Sequence, residues 1–305
     1  QKPVKKIPPH TTTTKKKTSG KRTANHRRKR GPSAAARRIE RAFVASTELR
    51  PMAQQLINMR TPAAYRGVTA YARKHTGDAA ATAYLTLGYA YLLDKHYPEA
   101  IESLDHARRA GNALDDYAVY FETKANIEAG NHEAAQMLIH NFAARFPDSV
   151  FDNLVPELEA SALIGTKNAA AAQRVLNAAA SSPAARRPGF QLARAQVAQA
   201  LNQTTEANDL YKQLLLRFPI SSEASVARDR LKATGAIATL SAAEMRSLAD
   251  AYYKAGRYSD ASDEFHALAH QDGLDIDTRD NFLVAAAACD LKLKRLTVPD
   301  AEVLP

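Results

Sequence analysis

The strongest constraint on the fold of this 305-residue chain is a phase that recurs about every 34 residues. Residues 81–111 read ATAYLTLGYAYLLDKHYPEAIESLDHARRAG. Tyr84, Leu87, Gly88 and Tyr91 stand at helical spacing, as do Tyr97, Ala100, Leu104 and Ala107. This pattern describes two antiparallel helices. Gly88 and Ala100 remove bulk where the helices meet, and Tyr91, Tyr97 and Leu104 fill the space around that contact. The small position returns at Ala135, with Gly130 at the turn and Pro147 closing the unit. It returns again at Ala172, in a degenerate copy, and at Ala207, followed by Tyr211, Leu214 and Pro219. The last copy, ADAYYKAGRYSDASDEFHALAH, places Tyr252, Gly256, Tyr258, Ala261, Phe265 and Leu268 in register. Two copies match strongly and three in part. The step from Ala207 to Ala261 exceeds one repeat, and the excess reads as an additional helix near Ser222 to Ala233. Each hairpin exposes an apolar face that only its neighbours can bury, so the units stack. The predicted fold class is all-α, with helical-hairpin repeats forming a superhelix.

Charge divides the chain. The formal net charge is +10, but residues 1–41 hold 15 Lys and Arg against the single acid Glu40. The rest of the chain is mildly acidic. Residues 1–32, rich in Lys, Arg, Thr and Pro, bury too little apolar surface to offset ordering entropy. They read as a disordered leader that contacts an anionic surface or acts as a solvated spacer. The leader carries no aromatic residue for stacking bases, which argues against specific nucleic-acid recognition. Gln1 in place of Met reads as a processed N-terminus, after removal of a signal peptide.

Residues 33–76 read as N-terminal helices, 77–296 as the repeat domain and 297–305 as a C-terminal tail. Ser33 is placed to cap a helix through Arg37, Ile39, Phe43 and Val44, which Arg50-Pro51 interrupts. Thr61-Pro62 opens the next helix, with Tyr65, Val68 and Tyr71, and that helix ends near Thr76-Gly77. No stretch of about 18 apolar residues is present, so no transmembrane helix is expected.

The spacing in residues 81–111 resembles a tetratricopeptide (TPR) unit. RFPDSVFDN at 145–153 and RFPISSEASVARDRLKATG at 217–235 look like the Phe-Pro-x-Ser junctions of periplasmic TPR proteins. With LRPMAQQLINMRTPAAYRGVTAYARKH upstream, the order over residues 42–296 resembles the non-catalytic superhelical region of soluble lytic murein transglycosylases. The resemblance implies a cell-envelope scaffold, periplasmic after signal removal, whose partner is peptidoglycan or an envelope protein. In that family a lysozyme-like domain follows and cleaves the glycan strand with a Glu in a Glu-Ser pair. Glu102-Ser103 lies inside a repeat helix and the Gly-x-Met-Gln element is missing, so no catalytic residue is assigned. Such a domain would have to follow Pro305. The alternative function is a cytosolic TPR adaptor whose basic tail binds anionic surfaces or nucleic acid.

No metal or cofactor is expected. His266 and His270 are four apart on a helix but have no third ligand in the pattern. Asp272, Asp275, Asp277 and Asp280 lack the order of a calcium loop, and Asp275 or Asp277 reads as a helix cap. Cys289 reads as a small core residue. The candidate ligand-binding residues lie on the first helices of the hairpins, which line a concave face: Tyr89, Tyr120, Lys124, Gln196 and Tyr253. For the tyrosines, packing between neighbouring hairpins is the competing role.

Overall fold

The computed structural model describes residues 47–111 and 113–294. These residues form fifteen α-helices and two short 3₁₀ turns, with no strand among them. The expectations for the leader, for a helix capped by Ser33 and for the C-terminal tail fall on residues outside this range.

The first two helices are α1 (Leu49–Met59) and α2 (Pro62–Lys74). The helix that Arg50-Pro51 was expected to interrupt lies outside the described residues, and α1 begins at Leu49 after a turn. Pro51 stands in the first turn of α1, where a missing N–H costs no intrahelical bond. Thr61 caps α2 as expected, its Oγ1 accepting from the Ala64 amide at 3.3 Å. Helix α2 stops at Lys74, and Gly77, with φ +62°, opens α3 rather than closing α2. Tyr65 of α2 donates its hydroxyl to Asp94 at 2.7 Å, and Arg60 pairs with the same carboxylate at 2.7 Å. That shared acceptor fastens the N-terminal pair to the end of α3.

The hairpins follow as α3 (Gly77–Leu93) with α4 (Tyr97–Ala110), then α5 (Asp115–Glu128) with α6 (His132–Ile139) and the short α7 (Phe142–Arg145). Next come α8 (Val155–Gly165) with α9 (Ala169–Ala178), and α10 (Pro188–Ala200) with α11 (Thr204–Arg217). Helix α12 (Ser222–Ala233) is the additional helix, and α13 (Ala242–Lys254), α14 (Tyr258–Ala269) and α15 (Ile276–Lys292) complete the series. Substantial contacts join only helices close in chain order, as a stacked solenoid requires.

The repeat register is visible in the packing. Ala100, Ala135, Ala172, Ala207 and Ala261 are all buried in the hairpin contacts. A Cβ on Gly88 would collide with the Leu104 side chain and lie 3.2 Å from the Ala100 carbonyl, so this is a close helix crossing. One departure is the second helix of the Ala135 unit. It is not continuous to Pro147 but breaks at Asn141, which takes a left-handed φ of 53°. Ile139 and Phe142 are buried on either side, anchoring both pieces. Asparagine tolerates that conformation better than most side chains.

Helix ends carry the expected chemistry. Asp275 caps α15, accepting from the Thr278 amide at 2.8 Å. Ser241 and Glu244 form a capping box at α13. Replacing Ser241 by alanine is expected to cost about 1 kcal/mol, seen as a lower urea midpoint with an unchanged m-value. No helix of the described residues is long and apolar enough to cross a membrane. Cys289 is fully buried in the last core cluster.

Candidate binding surface

The turn inside each hairpin fixes which residues share a face. After α3 the His96 amide bonds to the Tyr91 carbonyl at 2.9 Å and the Lys95 amide to Leu92 at 3.2 Å. The same pair of bonds recurs at Gly130-Asn131, Lys167-Asn168, Asn202-Gln203 and Gly256-Arg257. These are Schellman turns, each with the first residue of the pair in the left-handed region. Counting back from them places Tyr89, Lys124, Ser161 and Gln196 at one equivalent position of α3, α5, α8 and α10. One helical turn earlier stand Leu85, Tyr120, Glu157 and Leu192. Four first helices thus present one stripe.

Two grooves open on this stripe. The first lies between α1, α3 and α5 and holds about 340 Å³. Ile57, Leu85, Tyr89, Tyr117 and Phe121 give it an apolar wall, and Gln54, Asn58 and Thr86 are its polar members. Tyr89 packs against Phe121 with ring centroids 4.9 Å apart. The second groove is larger, about 570 Å³, and crosses α5, α8 and α10. Glu128, Ser161, Gln196 and Gln199 line it, with Arg230 of α12 at one side and His132 at the other. The His132 ring lies directly on the bare backbone of Gly165, and no side chain could stand there without moving it.

Between the grooves is a charged stretch. Tyr120 stacks face to face on Phe151, centroids 4.1 Å apart, so its ring belongs to the packing between hairpins. Burial pushes its hydroxyl up to about 12, with the neighbouring Glu157 carboxylate adding to the shift. Glu157 sits against Gly189 at the start of α10, where a Cβ would stand 2.6 Å from its Oε2. Burial raises the Glu157 carboxyl above the usual range, against the pull of Arg187 and, more weakly, Lys124. The Arg187 Nε is 3.7 Å from that carboxylate. Lys124 itself is exposed.

Of the five residues expected on this face, the structure brings Tyr120 and Lys124 together beside Glu157, puts Tyr89 in the apolar groove and Gln196 in the polar one. Tyr253 stands apart. It lies one turn beyond the stripe position, next to the hairpin turn and at the place that Gln199 holds on α10, and it packs edge-on against Tyr258 at 5.4 Å. The equivalent position on α13 belongs to Asp250. Helix α12, which packs on α10 and α11, also separates α13 from the stripe. Glu157 and Ser161 were missed because their repeat copy is degenerate. The turn Thr166-Lys167-Asn168 is the signal that recovers them.

Among the described residues no group of three or more His, Cys, Asp or Glu is placed to hold a metal ion. His266 lies 3.7 Å from Asp290, and His270 bonds through Nδ1 to the His266 carbonyl at 2.7 Å. Glu102 is exposed on α4 beside His106, with its neighbour Ser103 buried.

Residues 190–219 match the family model of the tetratricopeptide repeat. That range is the α10–α11 hairpin, one of the copies the spacing fitted only in part. Among solved structures, the chain is similar to the crystal structure of TTC0263, a thermophilic TPR protein in Thermus thermophilus. The identity is 19%, the match covers 68% of this chain and 100% of that one, and the TM-score is 0.40. Among curated proteins, none matches the chain.

Proposed function

We propose that this chain is a non-catalytic binding scaffold of the cell envelope, holding a segment of peptidoglycan or of an envelope protein along its first helices. The observation that carries the reading is the polar groove across α5, α8 and α10. Gln196 offers a donor and an acceptor, Gln199 its amide N–H groups while its Oε1 accepts from Tyr211, Ser161 an accepting hydroxyl oxygen whose proton goes to the Glu157 carbonyl, and Glu128 and Arg230 opposite charges at the border. Such a set suits a ligand that carries amides and hydroxyls in regular alternation, as a peptide-bearing glycan does. Lys124, Tyr120 and Tyr89 extend the stripe toward the N-terminal end. The envelope assignment and the periplasmic location rest on the sequence resemblance to the helical region of lytic transglycosylases, carried by the two Phe-Pro junctions and their flanks.

The test is titration calorimetry of the full chain with purified soluble muropeptides. Binding is expected, weakened about fivefold or more by Gln196→Ala, since a hydrogen bond is worth about 1 kcal/mol. Absence of heat with wild-type protein, or equal affinity in the variant, overturns this ligand assignment.

A further inference from the structure

Neighbouring first helices pack directly on one another in the earlier units, α3 with α5 and α8 with α10. Helices α13 and α15 stand at the same place in the last part of the series, yet no comparable contact joins them. Helix α14 bridges them instead, and a cleft of about 420 Å³ stays open between them. That size falls among small-molecule sites, which span about 300–1,000 Å³ and combine apolar walls with a few polar groups. Buried Phe265 of α14 and Phe282 of α15, with Ala285, give the cleft an apolar floor. Its polar members are Arg246 and Asp250 on α13 and Thr278 and Asn281 on α15.

Arg246 and Asp250 stand one turn apart on the same side of α13 with opposite charges, yet among the described residues neither belongs to an ion pair. A cation placed N-terminal to the anion is the weaker order for a helical pair. Arg246 is exposed, its guanidinium 5.9 Å from the centre of the Phe282 ring, and Asp250 is half-buried. A ligand that carries a carboxylate, an ammonium and an apolar chain within a few bonds satisfies all three surfaces. The guanidinium fork donates twice to a carboxylate, the Asp250 carboxylate accepts from an ammonium, and the aromatic floor takes the chain. We propose that the cleft between α13, α14 and α15 binds a free α-amino acid with an apolar side chain, its carboxylate on Arg246 and its ammonium on Asp250. This site shares no residue with the polar groove across α5, α8 and α10, and stands or falls independently of it.

Titration calorimetry of the full chain with L-leucine tests it, and saturable binding in the millimolar range or tighter is expected from a ligand of this size. N-acetyl-L-leucine lacks the ammonium and L-leucinamide the carboxylate, so each is expected to bind at least about tenfold more weakly. Arg246→Met and Asp250→Asn are expected to weaken L-leucine to the same degree, while Gln196→Ala leaves it unchanged. Arg246 is exposed, so its replacement leaves the fold in place. No saturable heat with L-leucine, or equal affinity in Arg246→Met, overturns the proposal. N-acetyl-L-leucine binding as tightly as L-leucine also overturns it, in favour of a peptide C-terminus as occupant. Undiminished binding of L-leucinamide overturns it in favour of a peptide N-terminus.

Discussion

Gly88→Ala lowers the stability of this protein, by up to about 2 kcal/mol, although alanine is the better helix former. The two effects oppose each other. Intrinsic propensity favours alanine by about 1 kcal/mol, whereas forcing a methyl group into a filled crossing costs about 1–3 kcal/mol. Geometry decides between them. The new Cβ meets the Cγ of Leu104 and stands 2.8 Å from its Cδ2, with the Ala100 carbonyl at 3.2 Å behind. Leu104 is fully buried and cannot swing out. Removing that side chain therefore reverses the sign. In a Leu104→Ala background, itself costly by about 2–5 kcal/mol, Gly88→Ala becomes neutral or stabilising. Urea unfolding of the four proteins in this cycle measures a coupling of at least about 1 kcal/mol. Coupling near zero would mean that the crossing relaxes freely and that glycine is not required there. Ala100→Leu, on the opposite helix, follows the same logic.

That crossing was legible in the sequence because it is made from local rules repeated five times. A small residue at fixed distance from a turn, with large residues three and four away, needs no knowledge of the rest of the chain. The caps at Thr61 and Asp275 and the inserted helix α12 were legible for the same reason. The break at Asn141 was not, since a left-handed asparagine inside an otherwise helical run leaves no mark in periodicity. The hairpin turns were half hidden. Gly130 and Gly256 announce them, but Lys95, Lys167 and Asn202 hold the same left-handed conformation without a glycine. The binding stripe depends on those turns, because the position counted back from each one decides which side chain faces the groove. Tyr253 was read from the same register, but it stands three residues before Gly256, where α10 has Gln199, and so one turn beyond the place of Tyr89 and Gln196. Glu157 lies outside any local rule: its setting comes from Lys124, Gly189 and Arg187, contributed by other parts of the chain.

Arg228→Met is the substitution expected to destabilise the C-terminal hairpins most. Arg228 projects from α12 and is nearly buried. It pairs with Glu264 and, at 3.3 Å, with Asp260, both on α14, and its guanidinium lies 5.4 Å from the centre of the Tyr252 ring. Methionine keeps the apolar stem but removes the charge. Asp260 retains Arg257 at 2.8 Å, whereas Glu264, buried on the same helix, loses its closest cation. Leaving a buried carboxylate unpaired costs about 3–5 kcal/mol near neutral pH. The pH dependence separates charge from packing. Burial raises the Glu264 carboxyl above its unfolded value, and Arg228 holds that rise down. A carboxyl raised in the folded state favours folding below its unfolded pKa, near 4.3, and loses that contribution as pH climbs through the folded value. Removing Arg228 lifts the folded value further, so the variant loses more than the wild type as pH rises. The gap between the two proteins is therefore widest at pH 7–8 and narrows toward pH 4. Adding Glu264→Gln to Arg228→Met recovers most of the loss at pH 7 and flattens the profile. A gap that stays constant from pH 4 to 8 would assign the cost to lost stacking on Tyr252 instead. Because α12 also carries Arg230 into the polar groove, loosening this clamp alters one side of that groove while α5, α8 and α10 keep their places.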